Sequence, residues 1–211
     1  LSHDERRRHN RFMFARDRRD FAAAHALVRQ ALSTCGHAGP AEWRFRVDAR
    51  GKPHIDPRHA ADTPLAFNLS HTRGIVACVV ARDAAVGVDI ERADSAAAAR
   101  HVASRYFAPS EVRLLEKCAP PDYPTRFVEL WTLKEAYMKA VGAGFHLALD
   151  SFAFAFNDRW GLSFSPPPGC PPGEFMLLAP SADTRLATAV LSTGSTIGWR
   201  MTFRTEGENA T

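Results

Sequence analysis

The stretch IVACVVARDAAVGVDIE, residues 75–91, constrains the fold more than any other part of the chain. β-Branched side chains are stiff and crowd a helix, but they pack well on a pleated surface. Ile75–Ala81 and Ala85–Ile90 therefore predict a buried hairpin with a polar Arg82-Asp83 turn. Upstream, Ser2 and Glu5 form an S-x-x-E capping box that opens a helix expected to reach Leu32. Phe14, Phe21, Ala24, Val28, Ala31 and Leu32 line its apolar stripe, and Gly36 and Gly39-Pro40 end it. A strand is expected over Trp43–Val47, a turn at Arg50–Pro53, and another strand over Leu65–Leu69.

After Glu91 the pattern changes. Asp94-Ser95 and an alanine run open a helix to Tyr106, and Pro109 sits well as the first residue of another, reaching Cys118. Thr125–Val141 reads as the strongest helix of this half, closed by Gly142. Strands follow at Phe152–Phe156, Gly161–Phe164, Phe175–Leu178, Leu186–Leu191 and Trp199–Phe203. Helices followed by strands in each half predict an α+β chain of two similar halves, 1–91 and 92–211. Each half would pack helices on a mainly antiparallel sheet, the two being related by a pseudo-twofold.

Several function classes drop out. No apolar run approaches the ~18 residues of a membrane span, and the charged opening LSHDERRRHN lacks the apolar core of a signal peptide. The four cysteines, Cys35, Cys78, Cys118 and Cys170, form no CxxC pair, so free thiols in a reducing cytoplasm are expected. The net charge is +4 with only four lysines, and seven arginines fall within the first 19 residues. Arginine suits forked contacts to phosphate; the other reading is a solvated helix face. No recognised nucleic-acid-binding pattern accompanies it, so no nucleic-acid partner is expected.

Two segments carry candidate chemistry. On a strand ending in Asp89-Ile90-Glu91, the two carboxylates share a face while Ile90 points to the core. They either hold a hard cation such as Mg²⁺ or form the charged tip of an edge strand. In WTLKEAYMK, Trp131, Glu135 and Lys139 recur at i, i+4 and i+8 on one helix face. Glu135 and Lys139 can serve a metal, a proton transfer or a phosphate; they can equally be an exposed ion pair. Ser70 and His71, adjacent at a strand end without a G-x-S-x-G elbow, do not make a hydrolase nucleophile.

VGVDIE followed, 45 residues from Asp89 to Lys134, by WTLKEAYMKAVG resembles the two signature blocks of the 4′-phosphopantetheinyl transferase superfamily. RFMFARDRRDFAAAHALVRQAL, RGKPHI, FNLSH and RYFAPSEVRLL resemble its Sfp-type branch, in the family's order, so the likeness covers roughly residues 1–155. It implies a holo-[carrier protein] synthase. Such an enzyme moves phosphopantetheine from coenzyme A to a serine of an apo acyl, peptidyl or aryl carrier protein and releases 3′,5′-ADP. It further implies Mg²⁺, with Mn²⁺ as the alternative, held by Asp89, Glu91 and Glu135. Glu135 would also be the base and Lys139 the cation for the pyrophosphate. Ser70, His71, Lys52, Gly51, Lys134 and Arg8 would contact coenzyme A, while Trp131 packs. Glu111 matches a further acidic signature position, and Glu5 and Asp20 stand where relatives carry basic residues. The length resembles the fused, monomeric, cytoplasmic type, beginning about a strand's length into the family pattern. Carriers are acidic, which suits a basic enzyme, and the Pro120–Pro124 loop is expected to help dock them.

Overall fold

The computed structural model describes residues 1–49, 51–60, 64–94, 99–142, 147–157 and 161–191; the strand expected at Trp199–Phe203 lies outside them. The predicted capping box forms: the Ser2 amide donates to Glu5 Oε2 at 2.6 Å and the Glu5 amide to Ser2 Oγ at 3.2 Å. The helix it opens is not continuous to Leu32, however. α1 (His3–Arg11) ends at Phe12, and α2 (Ala15–Cys35) starts afresh after an extended Phe14. The reason is a buried ion pair. Glu5 accepts two hydrogen bonds from Arg29, both at 2.9 Å, and lies 3.2 Å from His25. In one straight helix these residues would stand ~36 Å apart at 1.5 Å per residue, so α1 must fold back on α2. Phe14, assigned to the apolar stripe, is consequently exposed at the bend.

Val28 and Leu32 of α2 pack on Trp43, Ile55, Leu65 and Phe67. β1 (Phe45–Val47) pairs with β2 (Pro53–Ile55), a strand too short and too proline-bound to announce itself, and α3 (Pro57–Ala60) follows. β3 (Leu65–Thr72) and β4 (Ile75–Arg82) form the antiparallel hairpin of the first half, with Leu65 opposite Arg82 and Thr72 opposite Ile75.

β5 (Ala85–Arg92) does not pair with β4 as the valine pattern suggested. It joins β9 (Thr184–Leu191), which in turn pairs with β8 (Glu174–Ser181). Asp83, at φ +54°, directs the chain away from the β4 edge, and its amide bonds Pro64 O at 2.9 Å. β5 thus precedes the expected boundary at residue 91 in the chain, yet its ladder partners follow that boundary.

The second half continues through α4 (Ala99–Tyr106), α5 (Pro109–Glu116), α6 (Tyr123–Val141), β6 (Ala153–Phe156) and β7 (Leu162–Ser165). Gly142 closes α6 at φ +72°, the left-handed conformation that favours glycine. Tyr137, Phe152, Phe154, Phe164 and Phe175 cluster under α6. Each half therefore lays a long helix on antiparallel strands, α2 on β3–β4 and α6 on β5–β9, in the α+β arrangement expected. All four cysteines are free thiols. Among the described residues no helix is long and apolar enough to cross a membrane.

Candidate active site

The site depends on how closely α6 approaches β5. A Cβ on Gly87 would sit 2.0 Å from the Ala136 carbonyl oxygen and 2.6 Å from the Ala140 nitrogen. Only glycine lets the two backbones touch there. That contact sets Glu135 and Lys139, each one residue before a contacting alanine on α6, beside Asp89 and Glu91 of β5.

Asp89 is 4% exposed. Its Oδ1 accepts from Lys139 Nζ at 2.6 Å and from Ser70 Oγ at 2.9 Å. Lys139 Nζ lies 3.2 Å from Ser70 Oγ and 3.2 Å from the Val88 carbonyl. Asn68, buried one position before Leu69, accepts the Val88 amide at 2.9 Å and ties β3 to β5. The contact that matters for Lys139 is therefore with Asp89 across the helix–strand interface, not the i, i+4 pair on α6.

Glu135 sits beside this group. Burial, then the neighbouring Asp89, push its carboxyl up to about 7, against the pull of Lys139. Burial and Asp89 also raise Glu91, again opposed by Lys139. Asp89 Oδ2 and Glu135 Oε1 are buried without a hydrogen-bond partner. Unsatisfied carboxylate oxygens are costly in a protein interior, and hard oxygen donors with no competing hydrogen bonds suit a divalent cation. Among the described residues no three such groups converge into a ready-made cage. Mg²⁺ needs fewer, since it commonly takes one or two carboxylates and completes its shell with water and phosphate. The donor set fits such an ion.

The other expected residues are distributed as follows. Ser70 is buried and holds Asp89 directly, a role its position in FNLSH did not reveal. His71, the next residue on β3, is exposed on the other face. Gly51 occupies the β1–β2 turn at φ +85°. Lys52 donates to the Lys139 carbonyl at 2.5 Å, linking the first half to α6, and burial lowers its pKa. Arg8 lies exposed on α1 over the Phe21 ring. Glu5 is consumed by Arg29 and held well below the usual carboxylate range. Burial opposes that shift, and hydrogen bonds from His25, Ser2 and Arg29 overcome it.

Lys134 does not meet the expectation that it contacts coenzyme A. Its side chain is 0% exposed, as is that of Glu111, 2.8 Å away. Its ammonium also donates to the Leu149 and Phe152 carbonyls at 2.7 and 2.8 Å. Three acceptors use its three protons, so it anchors α6 to β6 from the side away from the carboxylates. Glu111 Oε1 and Oε2 accept the Phe154 and Ala108 amides at 2.9 and 3.0 Å. Lys134→Met should therefore lower stability by about 3–5 kcal/mol, the cost of stranding a buried charge, as read from a urea midpoint. Adding Glu111→Leu should recover only part, because two amides then lose their acceptor. Trp131 packs, as expected, stacked with Phe107 and Phe127. Gly87 and Asn68 were the positions missed; Gly87 was visible as the glycine inside VGVDIE, and Asn68 had no signal of its own.

Residues 85–184 match the family model described as the 4′-phosphopantetheinyl transferase superfamily, and residues 1–83 match one described as 4′-phosphopantetheinyl transferase, N-terminal. The 4′-phosphopantetheinyl transferase HetI of Nostoc sp. is 36% identical over 144 residues, covering 68% of this chain and 60% of that protein. A 4′-phosphopantetheinyl transferase of Bacillus subtilis is 30% identical over 172 residues, covering 82% and 74%. This chain thus spans about three fifths to three quarters of those relatives. A holo-(acyl-carrier-protein) synthase from Bacillus anthracis, solved in complex with CoA (3′,5′-ADP), aligns at TM-score 0.46 and 18% identity over 52% of this chain and 96% of that one.

Proposed function

This chain belongs to the 4′-phosphopantetheinyl transferase superfamily, and from that premise we propose that it moves phosphopantetheine from coenzyme A to a serine of an apo carrier protein, releasing 3′,5′-ADP. The observation that carries this reading is the group Asp89–Lys139–Ser70 with Glu135 beside it. It contains one ammonium for phosphate oxygens and one carboxyl poised near neutrality.

In the proposed reaction, the serine hydroxyl attacks the β-phosphorus of coenzyme A and the bond to 3′,5′-ADP breaks. Phosphoryl transfer asks a protein chiefly for positioning and charge neutralisation. Lys139 is already oriented by Asp89 and Ser70, so its ammonium need only rotate to meet a pyrophosphate oxygen. Glu135 is the proposed acceptor of the serine proton. Asp89, Glu91 and Glu135 would hold Mg²⁺ or Mn²⁺, which would supply charge neutralisation at the pyrophosphate. His71, Gly51, Lys52 and Arg8 are proposed to contact coenzyme A; Lys134 is not. The protein is proposed to act as a monomer in the cytoplasm, with the site formed where β3 and the β1–β2 turn meet β5 and α6.

Intact-protein mass spectrometry of apo carrier proteins incubated with coenzyme A, Mg²⁺ and this protein tests the proposal. A gain of one phosphopantetheine mass is expected, and EDTA should abolish it. A folded protein that modifies no acyl, peptidyl or aryl carrier would overturn it.

A further inference from the structure

Across the sheet, Glu91 has a cationic neighbour. In the β5–β9 ladder it stands directly opposite Arg185, and opposed residues of an antiparallel pair share a face, their Cβ atoms about 5 Å apart. That face is the one under α6. Gly87 touches α6 there, and Ala187 and Ala189, opposite Asp89 and Gly87, are fully buried beneath it. A guanidinium thus stands beside a carboxylate that the cation site needs. Such a pair is strongly attractive where burial lowers the effective dielectric.

The two do not pair. Arg185 Nε donates to Glu129 Oε1 at 3.0 Å, and these side chains are only 13% and 15% exposed. Its Nη1 donates to the Thr184, Ala182 and Ser181 carbonyls of the β8–β9 turn at 2.9, 3.3 and 3.4 Å. Among the described residues Glu91 makes no ion pair. Glu129 reaches Arg185 because of its place on α6. Glu129, Leu133, Ala136 and Ala140 recur at i, i+4, i+7 and i+11, the stripe that faces the sheet, and the last three are buried and apolar. A carboxylate at the end of such a stripe is costly to desolvate unless it is paired. Its partners are Arg185 and, 2.8 Å from Oε2, Arg126.

We propose that Glu129 is a positioning residue: it holds Arg185 toward the β8–β9 turn and off Glu91, leaving Glu91 available to the divalent cation. The inference rests on the reading above in which Asp89, Glu91 and Glu135 hold Mg²⁺ or Mn²⁺. Without Glu129, the turn carbonyls are the remaining hold on Arg185 among the described residues. Neutral acceptors bind a guanidinium less strongly than a carboxylate does. The guanidinium then turns to Glu91 and competes with the metal.

Mn²⁺ binding read by electron paramagnetic resonance, with coenzyme A present and no carrier protein, tests this independently of turnover. Urea midpoints establish that each variant is folded. Glu129→Ala should weaken Mn²⁺ binding about tenfold, the lower end of what losing a ligand-orienting group costs. Glu129→Gln is the milder change to the fold, and its amide oxygen still accepts from Arg185. It should weaken binding about threefold, since the acceptor has lost its charge. Adding Arg185→Gln to Glu129→Ala should return the affinity to within about twofold of the parent, because the competing cation is gone. A merely structural Glu129 predicts the opposite, a double variant that binds no tighter than Glu129→Ala. That result, or both Glu129 variants within about twofold of the parent, would overturn the positioning role and leave the cation site standing. No Mn²⁺ bound by the parent would overturn the cation site and this inference with it.

Discussion

Replacing Glu135 with glutamine is expected to slow transfer at least a hundredfold, the usual contribution of a positioned general base, with the fold intact. The glutamine keeps the shape of the side chain but cannot take a proton and is a poorer ligand for a cation. The same variant has a readout independent of activity. The folded-state pKa of Glu135 is raised from 4.5 to about 7, so between these values the folded chain retains a proton that the unfolded chain has released. The stability of the metal-free protein therefore falls as pH rises through that window and levels off above it. The full effect is on the order of 3 kcal/mol, less whatever solvent screening removes. Thermal melts of the metal-free protein from pH 4.5 to 8 should show the decline, and Glu135→Gln should remove most of it. Glu91, raised for the same reasons, would leave a residual slope. At pH 8 the variant should melt higher than the parent. Equal pH profiles for the two proteins would mean that Glu135 is not buried against Asp89.

Gly87→Ala is expected to damage stability and activity together. Its methyl group would stand 2.0 Å from the Ala136 carbonyl oxygen and 2.6 Å from the Ala140 nitrogen, and neither is a side chain that can rotate away. α6 must lift off β5 by more than an ångström or the strand must bend. Overpacking of this kind costs about 3 kcal/mol or more when the obstacle is backbone. The same displacement separates Lys139 from Asp89, now 2.6 Å apart, so transfer should fall by at least a hundredfold even where the variant remains folded. A urea midpoint and a transfer rate both within error of the parent would show that α6 and β5 are not in contact. Gly142→Ala gives a useful contrast. Gly142 has a positive φ, but a Cβ added there would meet nothing within 4 Å, so only the backbone strain of a helix cap should appear, about 1 kcal/mol.

The elements that announced themselves in the sequence did so through short-range chemistry. The Ser2–Glu5 box, the Pro109 start of α5, the Gly142 stop of α6 and the valine-rich strands each depend on residues within a few positions of one another. The pairing of Asp89 with Glu91 on one strand face was legible for the same reason, as was the packing role of Trp131. The two signature blocks, 45 residues apart, carried the resemblance to the family before any contact was known. Strand partnership was not legible. β5 is apolar enough to pair on either side, and its choice of β9 over β4 depends on a strand about 100 residues later. Nor was the bend at Phe12–Phe14, because the Glu5–Arg29 pair that causes it spans 24 residues. Lys134 and Lys139 are both lysines on one helix, five residues apart. Only the packing of α6 between β6 and β5 decides that one is sealed against Glu111 while the other faces Asp89. Sequence alone determined which residue types and local elements this chain has. Tertiary structure decided which charges became neighbours, because electrostatic roles depend on distance and burial, and both are properties of the packed fold.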